Sequence, residues 1–204
     1  ELVWKGTSLG TFSTELPGIY NLYNILAACA TYFSYGGQIE TVQKVLTDFH
    51  GVGRRFEVLG HLANTLVVSD YAHHPTALHA VTEAAKGRYK GKRILTVFRP
   101  HHKERTIKLF NEFIEVISAI PEMILLEIYD VAGREESTPI SSRDIIARVK
   151  EAHADAPIEY AADLSEAEAM IREHAANFDV VLVIGAGDAD ELAVECLGDR
   201  LADR

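Results

Sequence analysis

Cysteine is scarce in this chain. Only Cys29 and Cys196 occur among its 204 residues, and they lie far apart. A disulfide framework needs more cysteines, and a structural zinc site needs closely spaced ligands, so the sequence favours neither. We therefore expect a protein of a reducing compartment.

Long apolar runs and a surplus of basic residues are also missing. No stretch is long enough to cross a bilayer, and residues 1–5 lack the layout of a signal peptide, which predicts a cytoplasmic protein with no membrane partner. The net charge of −10 argues against a broad nucleic-acid face, because phosphate groups would be repelled except at a local basic patch. The chain starts without methionine, and we expect it to be a piece of something longer.

The composition that remains is typical of a globular protein, with 48% hydrophobic and 25% charged residues. Gly51 and Gly53 separate two kinds of pattern. Two short strands and two helices with apolar residues at helical spacing come first, and strands alternating with helices follow. We predict domains at residues 1–53 and 54–204, the second being an α/β domain with a Rossmann-like, doubly wound, mostly parallel sheet of about six strands.

Local signals place the elements of this second domain. Ser141 with Asp144, and Ser165 with Glu168, resemble capping boxes at helix starts. Polar residues at 131–139 predict a surface loop. The last predicted strand is the most apolar, which is typical of a central parallel strand. The predicted strands span 56–59, 65–68, 93–98, 123–129, 158–161 and 179–184.

Histidine pairs at 73–74 and 101–102 each follow a predicted strand. A right-handed crossover between those strands would set them parallel and bring both pairs to one rim, at the carboxyl ends where open α/β sheets bind ligands. Arg99, Lys103 and Arg105 add positive charge there. Although loop histidines are often merely solvated, this arrangement predicts a pocket for a carboxylate or a phosphate.

A metal site is the sharper competitor. Histidines and Asp70 are acceptable ligands for zinc or manganese. Adjacent side chains on a turn can diverge, however, and no His-x-His or His-x3-His spacing supports convergence. We therefore predict no metal ligands in this chain and keep a metal-dependent hydrolase as a less favoured alternative.

Four further features have both a binding and a structural interpretation. Asp70 could accept hydrogen bonds from a ribose or cap the next helix. The arginines at 54–55 could hold phosphate or lie exposed at the domain junction. Asn21 and Asn24 could contact adenine or cap their helix, and the turn 185–188 could attract an anion or simply need its glycines to turn.

Five segments, in order along the chain, resemble the Mur ligase family. The run from Tyr71 to Pro75, Tyr-Ala-His-His-Pro, is the most specific of them. Within the family, the members that add L-alanine to UDP-N-acetylmuramate are the most similar. The segments are Gly18–Asn24 with Leu26–Ala28, Gly51–Glu57, Ser69–Pro75, Pro100–His101 with Arg105–Thr106, and Gly185–Asp188.

The resemblance implies an ATP-dependent ligase with three domains, active in peptidoglycan synthesis. Residues 1–53 would be the end of its central ATPase domain and residues 54–204 its whole third domain. Such enzymes use ATP and Mg²⁺ to phosphorylate the muramoyl carboxylate of UDP-N-acetylmuramate, and the amine of L-alanine then attacks the acyl phosphate. This chain has no Gly-x4-Gly-Lys-Ser/Thr phosphate loop, so we expect Mg²⁺ to be bound mainly outside it and the chain alone to be inactive.

The resemblance also assigns roles to individual residues. His73 and Arg105 would be catalytic, with the alanine carboxylate chiefly on Arg105. The whole amino-acid site would comprise Tyr71, His73, His101, His102 and Arg105. The ATP contacts would come from Asn21, Asn24, Arg55 and Asp70.

Some positions depart from the family pattern. Tyr20 stands where histidine is usual, and Ser69 replaces the first of two aspartates. His102 and Lys103 stand where arginine and an aromatic residue are common, so one of two expected arginine contacts to the amino acid is missing. The alternative from another class is a stand-alone nucleotide- or anion-binding module, and the oligomeric state is open.

Overall fold

A computed structural model describes residues 1–129 and 139–198 of the chain. The chain divides into two compact units, Glu1–Val52 and Gly53–Arg204. Except for Pro139, the loop predicted at 131–139 lies outside the described residues. Across the described part of the chain, no helix combines the length and the apolar character that crossing a membrane requires.

The first unit combines a hairpin with two helices. Its elements are β1 (Leu2–Trp4), β2 (Thr7–Gly10), α1 (Ile19–Ser34) and α2 (Ile39–Asp48). The antiparallel hairpin turns at Lys5 and Gly6, whose φ angles of 48° and 83° are those of a type I′ turn. Buried Leu2, Cys29 and Val42 form a small core between the strands and the helices.

The second unit is built on a six-stranded sheet. Its strands are β3 (Glu57–Leu62), β4 (Thr65–Asp70), β5 (Ile94–Arg99), β6 (Met123–Leu126), β7 (Ile158–Ala161) and β8 (Val180–Gly185). The spatial order is β3-β4-β8-β5-β6-β7, and only the edge strand β3 pairs antiparallel. The predicted fold class, a mostly parallel sheet of about six strands, is confirmed.

Helices cover both faces of this sheet. They are α3 (Pro75–Arg88), α4 (Lys103–Lys108), α5 (Phe110–Ser118), α6 (Ser142–Ala152), α7 (Leu164–His174) and α8 (Ala189–Glu195), with a short 3-10 helix at Ala175–Asn177. On one face α5 packs between α3 and α6, and on the other α7 packs against α8. All six residues of β8 are buried, which confirms the central position predicted from its unbroken apolar run.

Capping side chains fix where two of the helices begin. The predicted capping box of α6 is confirmed, since Ser141 Oγ accepts the backbone N–H of Arg143 at 3.1 Å and Asp144 Oδ2 accepts that of Ser141 at 2.8 Å. The box predicted for α7 is wrong. That helix starts after Asp163, two residues before the predicted cap Ser165. The Asp163 carboxylate accepts the N–H of Glu166 at 2.9 Å, so it supplies the capping hydrogen bond of the first turn.

Candidate functional site

Strands β4 and β5 flank β8 and run parallel to it, so their carboxyl ends meet at one edge of the sheet. The two segments that follow them carry the histidine pairs. The ring centroids of His73 and His101 lie 6.0 Å apart, which confirms that the pairs share one rim. The Tyr71 ring meets His73 edge-on, with 5.2 Å between centroids.

Asp70, the last residue of β4, organises the first of these turns. Its Oδ2 accepts the backbone N–H of Phe56 and its Oδ1 that of Ala72, both at 2.8 Å. Burial raises the pKa of Asp70, while the two backbone hydrogen bonds and Arg55 oppose that rise. Because the residue is only 3% exposed, a ribose would reach it only if the turn opened, and the predicted ATP contact stays a prediction.

The two histidines of this turn have different surroundings. Exposed His74 is the N-cap of α3, where its Nδ1 accepts the N–H of Thr76 at 3.3 Å. His73 Nδ1 lies 3.0 Å from the carbonyl oxygen of Tyr71. A carbonyl can only accept, so this contact keeps a proton on Nδ1 and leaves the lone pair of a neutral His73 on Nε2.

Two consecutive arginines lie over the ring of Tyr71. The guanidinium carbons of Arg54 and Arg55 are 4.7 and 5.6 Å from its centroid. Arg54 also donates to the carbonyl of Gly187 at 2.9 Å and pairs with Asp190 at 2.9 Å. Arg55 is exposed, and in residues 1–129 and 139–198 it makes no ion pair. Of the two, Arg55 has the guanidinium that can meet an anion.

The segment after β5 corrects one expectation. Arg99 does not contribute a spare charge to an anion pocket, because its guanidinium forms an ion pair with Asp188 at 2.5 Å. Further on, His102 begins α4 with φ at 70°, and its carbonyl accepts both the N–H and the hydroxyl of buried Thr106. Arg105 Nη1 lies 3.5 Å from the carbonyl of His101, a long and weak hydrogen bond.

The electrostatics of His73 favour its uncharged form. Burial lowers its pKa, and Arg105, Arg55 and His74 lower it further, against the hydrogen bond with Tyr71. The imidazole is therefore mostly neutral near pH 7, since its pKa lies below the ordinary value of 6.5.

His101 is affected in the same direction. Burial, with His102, His73 and Arg105, lowers its pKa to about 4, while Asp188 opposes the change. The positive charge expected from the histidine pairs is thus absent at His101 near neutral pH. Near neutral pH the positive charge on this rim therefore comes from guanidinium groups and not from His101.

Sequence reasoning missed Tyr129. It follows β6, and its ring stacks on that of His101 with 5.0 Å between centroids and 17° between planes. The rule applied to β4 and β5, that residues after parallel strands meet at one edge, also covers β6. Its place in the sequence was therefore a usable signal.

Asn21 and Asn24 lie in the first turns of α1, in the first unit. Asn21 is 8% exposed and donates through Nδ2 to the carbonyl of Pro17 at 2.7 Å. Its Oδ1 lies 3.4 Å from Nδ2 of exposed Asn24. The amide of Asn21 therefore closes the turn before the helix, and the adenine contacts of both residues stay predictions.

Metal ligands do not gather in this part of the molecule. Where the structure describes the chain, no three histidine, cysteine, aspartate or glutamate side chains converge on one point. The rim offers imidazole nitrogens, the phenols of Tyr71 and Tyr129, and the guanidinium groups of Arg55 and Arg105. That chemistry suits a small molecule with both a carboxylate and an amine.

Comparison with known proteins identifies the family. Residues 54–187 match the family model described as Mur ligase, glutamate ligase domain. The chain belongs to the Mur ligase family. The matched region includes every rim residue described above from Arg54 to Gly187, Tyr129 among them.

Two relatives and one solved structure share the description of a UDP-N-acetylmuramate–L-alanine ligase. The UDP-N-acetylmuramate–L-alanine ligase of Caldanaerobacter subterraneus subsp. tengcongensis is 37% identical over 198 residues, which is 97% of this chain and 42% of that protein. The enzyme so described from Alkaliphilus metalliredigens is 33% identical over 98% of this chain and 42% of its own length. The crystal structure of UDP-N-acetylmuramate-alanine ligase from Thermotoga maritima superposes with a TM-score of 0.74 at 24% identity, covering 95% of this chain and 40% of that one.

This Mur ligase chain therefore spans about two fifths of the length of the relatives it matches. Its two units account for the aligned part of each relative.

Proposed function

We propose that this chain is the carboxyl-terminal part of an ATP-dependent ligase that joins L-alanine to UDP-N-acetylmuramate during peptidoglycan synthesis in the cytoplasm. The observation that carries the proposal is the meeting of Tyr71, His73 and His101 at one rim beside Arg105. The similarity to UDP-N-acetylmuramate–L-alanine ligases supports it. In this proposal the second unit supplies the amino-acid site.

The two ends of a zwitterion match the two kinds of group on the rim. Arg105 is a fork of N–H donors that suits a carboxylate, and within the described residues no acidic side chain occupies it in an ion pair. The neutral nitrogen of His73 suits the ammonium, to which it can accept a hydrogen bond. Arg105 therefore orients L-alanine with its amine towards the imidazoles.

The same groups can serve the chemical step. ATP with Mg²⁺ would supply the phosphoryl group that converts the muramoyl carboxylate into a reactive acyl phosphate. An ammonium has no lone pair, so the proton of the alanine amine must leave for the C–N bond to form. Nε2 of His73 takes that proton, and the free amine then attacks the acyl carbon. The departing phosphate takes the electrons of the broken C–O bond and the second proton, which the nitrogen loses as the amide forms.

The fit to ATP and Mg²⁺ is partial in this chain. Arg55 has an exposed guanidinium for a phosphate, and Asn24 an exposed amide for an adenine edge. The described residues bring together no set of metal ligands. We infer that Mg²⁺ and the phosphate loop belong to the part of the enzyme that precedes these residues, and that the chain alone does not turn over.

An apolar stripe on α1 supports assigning the first unit to a larger central domain. Ile19, Leu22, Tyr23 and Leu26 are 63%, 44%, 66% and 46% exposed, at spacings that place them on one side of the helix. A large exposed apolar stripe usually marks a surface that another element covers. In this assignment, preceding residues of the central domain cover it.

The amino-acid site is tested by titrating the isotopically labelled chain with L-alanine and following its amide signals. We expect shifts at residues 71–74 and 101–105. Arg105→Ala should weaken binding about 10- to 100-fold, the effect of losing a charge-assisted hydrogen bond. Arg148→Ala, on the exposed face of α6, is the matched control and should leave binding unchanged.

The activity is tested with the full-length reading frame that encodes this chain. Release of phosphate from ATP should require both UDP-N-acetylmuramate and L-alanine, and the 204-residue chain alone should release none. Phosphate release that ignores L-alanine would contradict the proposal. Tightly held, stoichiometric zinc or manganese in the purified chain would favour the hydrolase alternative instead.

A further inference from the structure

Tyr129 lies on the rim beside His101 and has no role in the proposed reaction. One face of its ring stacks on His101, and the guanidinium carbon of Arg99 is 5.0 Å from its centroid. The backbone is held as well, since Tyr129 N–H donates to the carbonyl of Pro100 at 2.8 Å and its own carbonyl accepts from His102 at 2.9 Å. These contacts join the end of β6 to the segment after β5.

The arginine beside the ring is itself fixed. Arg99 pairs with Asp188, and its side chain is only 14% exposed. Gly187 leaves room for the ring, because a Cβ there would lie 3.3 Å from Cε1 of Tyr129. The turn after β8 thus anchors Arg99, Arg99 borders the tyrosine ring, and the ring supports His101.

His101 is enclosed by aromatic rings on several sides. His102 meets it edge-on at 4.1 Å and His73 lies at 6.0 Å, while Tyr129 covers one face. A plane of imidazole held this way has little freedom to rotate. We propose that Tyr129 is a positioning residue of the amino-acid site, which holds the His101 imidazole against the rim and keeps water from its face.

The inference rests on the proposed function for the identity of the ligand. The contact between Tyr129 and His101 does not depend on that function. Four segments contribute the charged and titratable groups that face His101. They are His73 after β4, His102 with Arg105 at the start of α4, Tyr129 after β6, and Asp188 after β8. Burial is the largest cause of the low pKa of His101, about 4. Removing the ring that buries it should therefore let the pKa rise.

The experiment compares Tyr129→Phe with Tyr129→Leu in the 204-residue chain. Histidine ring signals are followed by NMR as a function of pH. Tyr129→Phe keeps a stacked ring, so His101 should still titrate near its original pKa of about 4. Tyr129→Leu removes the stack, so the pKa of His101 should rise towards the ordinary imidazole value, and L-alanine binding should weaken roughly three- to tenfold.

A second variant tests the direction of the shift independently of Tyr129→Leu. Asp188→Asn leaves the Tyr129 ring in place but removes a negative charge that raises the pKa of His101, so that pKa should fall. An unchanged pKa of His101 in folded Tyr129→Leu would overturn the inference. Wild-type chain that ignores L-alanine while His101 responds to Tyr129→Leu would instead overturn the amino-acid assignment and leave the positioning contact standing.

Discussion

At the scale of single residues, the proton on Nδ1 of His73 determines which imidazole nitrogen can accept a proton in the proposed reaction. The carbonyl of Tyr71 holds that proton, so Nε2 is the nitrogen left to act as a base. His73→Asn keeps a donor near the Tyr71 carbonyl but has no counterpart of Nε2. For the proposed ligase reaction, we expect kcat of the full-length protein to fall by about 10²- to 10⁴-fold, and the KM for L-alanine to rise about tenfold because Nε2 also accepts a hydrogen bond from the ammonium.

For the proposed reaction, the pH dependence of the full-length wild-type protein gives an independent readout of the same residue. The pKa of His73 is lowered below the ordinary 6.5, so the base becomes protonated, and the rate falls, only as pH drops through that lowered value. His74→Asn is the matched control, because His74 caps α3 and asparagine is also a good cap. A His73→Asn enzyme with wild-type kcat would contradict the assignment.

At the scale of elements, Glu127 ties β6 to α6 and β7. Its carboxylate accepts from Ser141 Oγ at 2.5 Å, from the N–H groups of Ile128 and Ser142 at 2.8 and 3.1 Å, and from the hydroxyl of Tyr160 at 2.8 Å. Burial on its own would raise the pKa of Glu127, but these hydrogen bonds together outweigh it and lower the pKa. Glutamine offers one acceptor oxygen where four donors converge.

Glu127→Gln should therefore lower the free energy of unfolding at pH 7 by about 1–3 kcal/mol, measured by urea denaturation. The folded-state pKa is below the ordinary 4.5, so this stability is present above pH 4.5 and is lost as pH falls through the folded value. The difference between the two proteins should narrow in acid. Glu151→Gln, on the surface of α6, should cost at most about 0.5 kcal/mol, and an equal loss there would contradict the prediction.

The helices and strands show which features of the fold local sequence patterns predict. The apolar run of β8 and the capping box at Ser141 are local patterns, and both predictions are confirmed. The insertion of β8 between β4 and β5 could not be read from the sequence, because strand order depends on packing between distant segments. The pair Arg99–Asp188 joins residues 89 positions apart, and it neutralises a positive charge that the sequence predicted for the anion pocket.

The candidate site also has features that the sequence predicts and features that it does not. Placement of His73 and His101 on one rim follows from parallel strands and a right-handed crossover, which the sequence pattern indicates. Their charge state does not follow, since it depends on burial by groups from separate segments. The stacked Tyr129 is one of those groups, and it comes from a third strand.

At the scale of the whole molecule, the two units have cores of very different size. The first has three buried apolar residues, with six partly buried ones around them. Among the described residues of the second, one face alone has fourteen buried apolar residues in a single cluster. Since a small core gives little stability, we expect the first unit to unfold before the second.

Trp4, the single tryptophan, allows the unfolding of the two units to be measured separately. It lies in β1 with its ring 5.6 Å from Phe33, so its fluorescence reports the first unit, whereas amide signals of β8 report the second. In urea the fluorescence midpoint should come roughly 1 M below that of the β8 amides. Val42→Ala should lower only the first midpoint and Phe113→Ala only the second, the latter by about 3–5 kcal/mol of unfolding free energy. Coincident midpoints that both variants move together would mean that the chain unfolds as one cooperative body.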